Sequence, residues 1–294
     1  MDKPAGPTSH DVVARVRRAL HTRAVGHTGT LDPFATGLLV VLVGRATRLA
    51  RFVEQQVKTY CATARLGVRT TTDDLTGEEL DGSVVGRLEF SPGGRAAEPP
   101  SRRAVEEALR SFLGPGRQRP PAYSAKHVAG ERSYARARRG EAVVLPEIDI
   151  VVHAVELTEY DYPALSFRAT VSPGTYVRAL ARDLGERLGT GAHLRALRRE
   201  AIGMLRVEQA VALDAVSAEA LLPPLAVLGH LSRVEVTEAE ARALRHGQAV
   251  RRTGGPADLV AEPITVVGPD DSLIAVARWQ EGALRPEVVL EAQG

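Results

Sequence analysis

The sequence predicts an α+β fold in which helices and strands are built around one mixed, mainly antiparallel sheet. Apolar residues recur at helical spacing in some segments and form short strand-like runs in others. The two kinds of segment follow each other without regular alternation, whereas a doubly wound parallel sheet requires strand and helix to alternate. From about residue 230 the runs become short and β-like, which predicts a second, smaller β-rich domain.

The first elements are a helix, a loop and two strands. Ser9 is predicted to cap a helix with one apolar side, formed by Val12, Val13, Val16 and Leu20. A loop rich in glycine follows, and the apolar run at 38–43 then predicts one buried strand. The segment TYCATARLG, at 59–67, predicts another strand.

The middle of the chain predicts a surface loop, two helices and a pair of strands. SPGGRAAEPP, at 91–100, has the composition of a surface loop, and Ser101 caps a helix that ends near Gly114. Residues 148–160 and 165–172 predict a strand pair, joined through DYPA. The next helix starts near Thr175 and carries its apolar residues at helical spacing, namely Val177, Leu180, Leu184 and Leu188.

A change of character near LLPPLAVLGH, at 221–230, predicts the domain junction. We expect a catalytic domain at 1–228 and a small domain at 229–294. Within the latter, short β-like runs are separated by Gly, Pro and Asp, and TEAEARALRHG predicts one short helix.

Composition excludes several classes of protein. The 294 residues are 44% hydrophobic, enough for a real core, and the single cysteine, Cys61, rules out an intramolecular disulfide and a cysteine zinc cluster. No secretory signal or membrane-length apolar run is present, so we expect a cytoplasmic protein without structural metal. The net charge is only +2, but arginines cluster, which fits either a phosphate-binding face or ordinary solvated helices.

The run GHTGTLDPFATGLL, at 26–39, contains one carboxylate, Asp32, in a loop followed by a buried strand. Glycines allow unusual backbone geometry there, and Pro33 fixes the chain directly after Asp32. An acid in such a loop is a candidate for catalysis. By itself, however, the Asp-Pro pattern favours a turn cap.

Five ordered segments favour a catalytic role for Asp32 over a turn cap, because together they resemble the TruB family of tRNA pseudouridine synthases. The resemblance covers much of the first 205 residues. Its segments are DKPAGPTSHD (2–11), GHTGTLDPFATGLL (26–39), KTYCATARLGVRTTTDD (58–74), RPPAYSAKHVAGERSY (119–134) and GTYVRALARDLGERLGTGAHLRALRREAIG (174–203). The resemblance implies a pseudouridine-synthase catalytic domain followed by a PUA-like RNA-binding domain. It also implies conversion of uridine to pseudouridine at position 55 in the T-loop of tRNA, with no cofactor.

That resemblance gives three residues catalytic roles. Asp32 matches the family's catalytic aspartate, and either covalent addition or proton abstraction requires it ionised. Because burial raises the pKa of a carboxyl, Asp32 needs a cationic partner, which the resemblance identifies as Arg178. Tyr60 matches the tyrosine that stacks on the uracil and takes part in loss of the C5 proton. Tyr60 also fits plain core packing.

Other matching residues are expected to bind the substrate or support the site. Tyr176 and Leu197 match residues lining the uracil pocket, although packing on a helix face would explain both. His27 matches a histidine that fills the stack vacated by flipped bases, and a metal role is not expected for it. Lys3, in the DKP motif, is expected to brace the catalytic loop. Lys126 and its neighbour Tyr123 are expected to support the pocket.

The family pattern also has an apolar strand before DKP, whereas this chain starts at Met1, directly before Asp2. We therefore expect either a start downstream of the true one or a shortened sheet edge. Two further hypotheses about function stay open. One is a tRNA-folding chaperone of the same fold, in which catalysis is secondary or absent. The other is the related guide-RNA-dependent synthase; against it, we expect a monomer that needs no guide RNA and no membrane.

Overall fold

The structure of the chain is a computed structural model that describes most of the sequence. The described residues are 1–80, 99–123, 127–128, 131–132, 136, 139, 141, 145–252 and 262–290. Lys126 and most of the loop predicted at 91–100 lie outside them. No helix among the described residues is long and apolar enough to cross a membrane.

Helices and strands share the chain as the sequence predicts. The α-helices are α1 (Ser9–Ala19), α2 (Ala50–Glu54), α3 (Arg102–Arg110), α4 (Val177–Arg187) and α5 (Glu238–Arg245), with short 3-10 helices at Gly44–Leu49, Val207–Gln209 and Pro224–Val227. The strands are β1 (Asp2–Lys3), β2 (Val25–Thr28), β3 (Thr36–Leu38), β4 (Val40–Val43), β5 (Lys58–Leu66), β6 (Arg69–Thr70), β7 (Glu79–Leu80), β8 (Gly114–Gln118), β9 (His127–Val128), β10 (Glu131–Arg132), β11 (Ile148–Asp161), β12 (Ala164–Val171), β13 (Ala192–Ile202), β14 (Leu205–Arg206), β15 (Ser232–Glu235), β16 (Val250–Arg251), β17 (Pro263–Val267), β18 (Leu273–Gln280) and β19 (Ala283–Val289).

The large sheet has the order β1-β3-β13-β5-β12-β11-β8, with β14 added to β13. Its neighbours are antiparallel except for β13 and β3, which run parallel, so the predicted α+β class with a mainly antiparallel sheet is confirmed. Strand β5 alternates buried and partly exposed residues, which gives the sheet one core face. That face packs against apolar residues of the helices, including Val12, Val105 and Leu184.

The C-terminal part forms a separate five-stranded sheet of order β15-β17-β18-β19-β16, as its short β-like runs predict. Helix α5 covers it and is capped by Thr237. A buried cluster joins this sheet to the first part of the chain, with Phe52 and Leu228 packing among Leu273, Val276 and Val288. The two parts of the chain are therefore connected by hydrophobic packing as well as by the polypeptide itself.

One prediction about local structure is wrong, and so is the alternative that Leu197 packs on a helix face. The run at 38–43 is not one strand, because the fully buried Leu39 separates β3 from β4 and the two strands belong to different sheets. Leu197 does not lie on a helix. It lies in the interior of β13, between β3 and β5, where pairing on both sides overrides the helical propensity of the segment AHLRALRREAI.

The predicted cap of α1 is also corrected. The N-cap is Thr8, whose hydroxyl accepts a hydrogen bond from the Asp11 amide while the Asp11 carboxylate accepts one from the Thr8 amide. Ser9 is buried instead, and its hydroxyl is hydrogen-bonded to both the carbonyl (3.2 Å) and the amide (3.0 Å) of Leu31. A residue expected to start a helix therefore anchors the residue that precedes Asp32.

Candidate active site

Asp32 lies in the loop between β2 and β3, and both of its neighbours in sequence are held by α1 and the segment before it. Ser9 fixes Leu31, and the ammonium of Lys3 donates to the carbonyl of Pro33 at 3.2 Å. Gly37, just after the loop, has φ +101° and lies so close to Arg199 that an added Cβ would be 2.3 Å from its carbonyl oxygen. Only glycine therefore fits at this point, and the loop approaches β13 closely.

Lys3 is a buried brace. Its side chain has no exposed surface, and the ammonium donates to the carbonyls of Pro4 (2.8 Å), Pro7 (2.8 Å) and Pro33 (3.2 Å). All three ammonium hydrogens are thus used on backbone oxygens. Burial lowers the pKa of Lys3 to about 8, and the nearby Asp32 opposes that shift. These contacts connect Lys3 to the Pro33 end of the Asp32 loop.

Replacing Lys3 by methionine should destabilise the protein. The substitution keeps an unbranched side chain but leaves three partly buried carbonyl contacts without their donor, which should cost about 3 kcal/mol of unfolding free energy. Denaturant unfolding of Lys3→Met, with the exposed Arg110→Met as the control for removing a cation, measures the effect. An unchanged unfolding midpoint for Lys3→Met would show that these contacts do not hold the loop.

Arg178, the second residue of α4, makes the central contact of the site. Its Nη2 group donates to Asp32 Oδ1 at 3.1 Å, and its Nε forms an ion pair with Asp32 Oδ2 at 3.0 Å. Nη1 donates to the Thr72 carbonyl (3.0 Å) and to Asp74 Oδ2 (3.2 Å), and Nη2 also donates to the Tyr123 carbonyl (2.9 Å). Nη1 and Nη2 therefore each have two acceptors, Nε faces Asp32 Oδ2, and the side chain cannot rotate without losing several of these contacts.

Asp74 is a second carboxylate at the site, and the sequence interpretation does not single it out. It is 3% exposed, and its Oδ1 accepts from the Thr72 hydroxyl and from the amide and hydroxyl of Thr76. Its other oxygen faces Arg178. Asp74 could have been found from its place at the end of the block KTYCATARLGVRTTTDD. The acid-rich stretch that follows is, however, typical of a solvated surface segment.

The electrostatic environment of Asp32 opposes ionisation in part. Burial raises the pKa of Asp32 above its ordinary value of 3.8, Arg178 and Lys3 act against that increase, and the nearby Asp74 adds to it. The net direction is upward, although 33% of the side chain remains exposed. Arg178 therefore supplies the charge that favours the ionised form of a poorly solvated carboxylate.

Two of the expected pocket residues share the core face of the large sheet. Tyr60 in β5 and Leu197 in β13 are each 7% exposed, and Leu197 pairs with Ala62, which is two residues along β5 from Tyr60. Tyr176 is the N-cap of α4, directly before the turn that carries Arg178. Gln118 fixes its backbone: the Gln118 amide accepts from Tyr176 N (2.8 Å) and donates to Tyr176 O (3.1 Å).

His27 lies at the start of the same loop region, in β2. Its ring meets that of His10 on α1 edge to face, with centroids 5.4 Å apart and planes at 84°. Burial lowers the pKa of His27, and His10 and Arg199 lower it further, so the ring is neutral at neutral pH. Within the described residues, no group of three His, Cys, Asp or Glu side chains is arranged to hold a metal ion.

Family models match the chain along most of its length. The model described as TruB family pseudouridylate synthase (N terminal domain) matches residues 17–177, and the tRNA pseudouridylate synthase B C-terminal domain matches 178–223. A third, described as tRNA Pseudouridine synthase II, C terminal, matches 231–291. These matches include the Asp32 loop, the Asp74 turn and Arg178.

Curated relatives are similar over nearly the whole chain. The tRNA pseudouridine synthase B of Thermobifida fusca is 44% identical, covering 98% of this chain and 96% of its own. The protein of the same name from Leifsonia xyli is also 44% identical, covering 95% and 91%, and that of Parasynechococcus marenigrum is 42% identical, covering 100% and 97%.

Solved structures share the fold. A chain of a Cbf5-Nop10-Gar1 complex superimposes with a TM-score of 0.72 at 24% identity, covering 99% of this chain and 83% of that one. A chain of an H/ACA RNP bound to a substrate RNA containing 2'-deoxyuridine gives a TM-score of 0.70 at 22% identity, with coverage of 99% and 83%. Identity at this level supports the fold alone. With a family model that matches more than half of the chain, and relatives above 40% identity along nearly all of it, the chain belongs to the TruB family of pseudouridylate synthases.

Proposed function

We propose that this protein converts the uridine at position 55 of the tRNA T-loop into pseudouridine, with Asp32 as the carboxylate that acts at the ribose. Curated relatives named tRNA pseudouridine synthase B support the reaction and the substrate class. The observation that carries the assignment of Asp32 is its two-point contact with a guanidinium whose Nη1 and Nη2 groups are hydrogen-bonded to four acceptors. A tRNA-folding chaperone with secondary catalysis is not favoured by these relatives.

The reaction needs few groups, and this site supplies them. The C1′–N1 bond of the nucleotide breaks, the uracil rotates, C5 bonds to C1′, and the proton on C5 leaves while N1 gains one. No redox change or energy input is required. An ionised carboxylate at the ribose serves either covalent addition or abstraction of a ribose proton. Arg178 favours that ionised form, and because Asp32 is held at both oxygens its direction is fixed before substrate arrives.

The base requires a pocket that holds it while it is detached. We propose that Tyr60 stacks on the uracil and that Tyr176 and Leu197 line the pocket beside it. These residues lie on β5, on β13 and at the start of α4, and the three elements contact one another. Stacking on an aromatic ring is the usual way in which a flipped base is held.

Phenylalanine at position 60 separates two roles of the tyrosine. If Tyr60 also takes part in removing the C5 proton, Tyr60→Phe should bind tRNA normally, because the ring remains. It should form pseudouridine at least about 10²-fold more slowly, because the hydroxyl is lost. Single-turnover kinetics with uridine deuterated at C5 measures this step. A rate for Tyr60→Phe equal to that of the wild type would restrict the residue to stacking.

On the RNA side, we propose that His27 fills the space left by flipped bases of the T-loop and that Lys3 supports the loop from behind. Lys126 belongs to the same proposal through its motif. The half-buried, neutral ring of His27, braced by His10, is suited to stacking rather than to charge pairing. Phosphate contacts by the arginine clusters should supply salt-dependent affinity.

We further propose that the protein acts as a cytoplasmic monomer, with a catalytic domain at 1–228 and an RNA-binding, PUA-like domain at 229–294, and that it needs no guide RNA. The 42–44% identity to proteins named tRNA pseudouridine synthase B along nearly their whole length, against 24% identity to a chain of a Cbf5-Nop10-Gar1 complex, supports this choice. Light scattering of the purified protein measures its mass.

The proposed function is tested with purified protein and unmodified tRNA transcript in the absence of any other RNA. Chemical mapping should detect pseudouridine at position 55, and a matched transcript carrying cytidine there should give no product. Lack of product until a guide RNA is added would contradict the proposal. Product at a different uridine would overturn the assignment of position 55.

A further inference from the structure

Helix α4 presents a second arginine to the same region, one turn beyond Arg178. Arg182 donates through Nη1 to Asp73 Oδ2 at 2.9 Å and through Nη2 to the carbonyl of Arg119, also at 2.9 Å. The side chains of Arg182 and Asp73 are each 13% exposed. The helix residue Asp183 also accepts from Arg182, which fixes the guanidinium at its base.

Asp73 lies in a turn whose shape matters for Arg178. Its φ is +60°, in the left-handed region, which costs a residue with a side chain conformational energy. The residues on either side, Thr72 and Asp74, supply the acceptors for Arg178 Nη1. The position of this turn therefore determines where one edge of the Arg178 guanidinium lies.

The two arginines connect the same three parts of the molecule. Arg178 and Arg182 both reach from α4 to the turn at 72–74 and to the segment at 119–123, where they donate to the carbonyls of Tyr123 and Arg119 respectively. Only Arg178 among the two contacts Asp32. Arg182 thus repeats the attachments of Arg178 one turn farther from the reacting group.

We propose that the Arg182–Asp73 ion pair positions Arg178, and through it Asp32, for the reaction. This inference rests on the proposed function of Asp32. The pair touches neither Asp32 nor the expected place of the substrate, so its effect is indirect: it holds the 72–74 turn in its left-handed conformation against α4. Misplacement of a catalytic group by about 1 Å can lower a rate by roughly 10²-fold.

The electrostatics do not point to stability as the main role of the pair. Burial raises the pKa of Asp73 although Arg182 and Arg178 act against that increase. The ionised form of this carboxyl is therefore less stable here than in water. Buried ion pairs commonly contribute little net stability for this reason. The main effect of the Arg182–Asp73 pair is therefore to fix the conformation of the turn at 72–74.

Steady-state kinetics on unmodified tRNA tests the proposal with Asp73→Asn, Arg182→Gln and the double variant. Asparagine adopts the left-handed conformation readily and keeps a hydrogen-bond acceptor, so Asp73→Asn removes charge with little change in backbone preference. We expect each single variant to lower kcat about 10-fold with KM within about twofold of wild type, and the double variant to be no slower than the slower single variant. Arg182→Lys should recover part of the loss.

Arg187→Gln is the matched control, because Arg187 is on the same helix but bonds to Ser111 and stacks over Phe112, away from the turn. It should keep the wild-type kcat, with every rate measured below the unfolding temperature of its variant. If Arg182→Gln does not fold, Asp73→Asn carries the test alone. Wild-type kcat for Asp73→Asn, equal losses in the control, or a change confined to KM would each overturn the inference. Absence of product with wild-type protein would instead overturn the proposed function.

Discussion

Asparagine at position 32 is expected to abolish pseudouridine formation while leaving the protein folded and able to bind tRNA. Asparagine has the size of aspartate but carries no charge and cannot serve as the carboxylate at the ribose. The single-turnover rate should fall by at least roughly 10⁴-fold, the scale seen when a central catalytic group is removed. Asp74 cannot substitute for Asp32, because its oxygens are committed to Thr72, Thr76 and Arg178.

The same variant should be at least as stable as the wild type at neutral pH. A carboxyl whose folded pKa is raised binds more protons in the folded state than in the unfolded state, so its contribution to stability falls as pH rises through that interval. Above the interval the folded protein carries the full cost of the buried charge, and asparagine removes it. Thermal unfolding at pH 7 measures this difference, with Arg178 still held by Asp74 and two carbonyls.

Asp32→Asn also separates the enzyme from the chaperone hypothesis. If tRNA maturation in cells continues normally with Asp32→Asn while pseudouridine is missing, binding and refolding of the tRNA carry the biological effect. If maturation fails together with modification, catalysis carries it. A variant that forms pseudouridine at the wild-type rate would remove Asp32 from the mechanism altogether.

Replacing Arg178 by glutamine is expected to lower the single-turnover rate by about 10²- to 10³-fold, the usual effect of removing a preorganised polar group beside a reacting centre. Two changes combine: Asp32 loses its two-point contact, and the Thr72–Asp74 turn and Tyr123 lose their common donor. Arg178→Lys, which keeps the charge but cannot make five directed bonds, should fall between glutamine and wild type.

Stability should also respond to Arg178→Gln, because Asp74 is left as a buried carboxylate without its cation. Loss of one member of a buried ion pair typically costs about 3–5 kcal/mol. Rates must therefore be compared well below the unfolding temperature, which circular dichroism establishes for each variant. A rate for Arg178→Gln within twofold of wild type under those conditions would show that the ion pair is structural only.

Local pattern was enough to predict most of the fold. The strand pair β11 and β12, the helix carrying Arg178 and the β-rich C-terminal part follow from spacing and turn residues. Spacing gave no prediction of β13, whose segment AHLRALRREAI forms a strand through pairing with β5 and β3. It failed for the run at 38–43, where a tertiary hydrogen bond from Leu39 to the carbonyl of Met1 helps to divide the predicted strand.

The site was predictable where motif residues act directly and unpredictable where the fold brings distant groups together. Asp32 and Arg178, 146 positions apart in the chain, were paired from sequence only through the family resemblance. Asp74 reaches Arg178 across 104 positions, and its acid-rich surroundings suggest solvent exposure rather than burial. Ser9 was predicted only as a helix cap and Gln118 was not singled out, because each acts by binding backbone atoms of a segment that lies far away in sequence.

The pH dependence of the single-turnover rate tests most directly whether a buried Asp32, kept ionised by Arg178, performs the chemistry. The rate should fall as Asp32 is protonated, with a midpoint above the ordinary aspartate pKa of 3.8 in the wild type, because burial outweighs the opposing charges. Arg178→Gln should move that midpoint to still higher pH, whereas Arg178→Lys should leave it near the wild-type value. A midpoint that is unchanged or lower in Arg178→Gln would contradict the account.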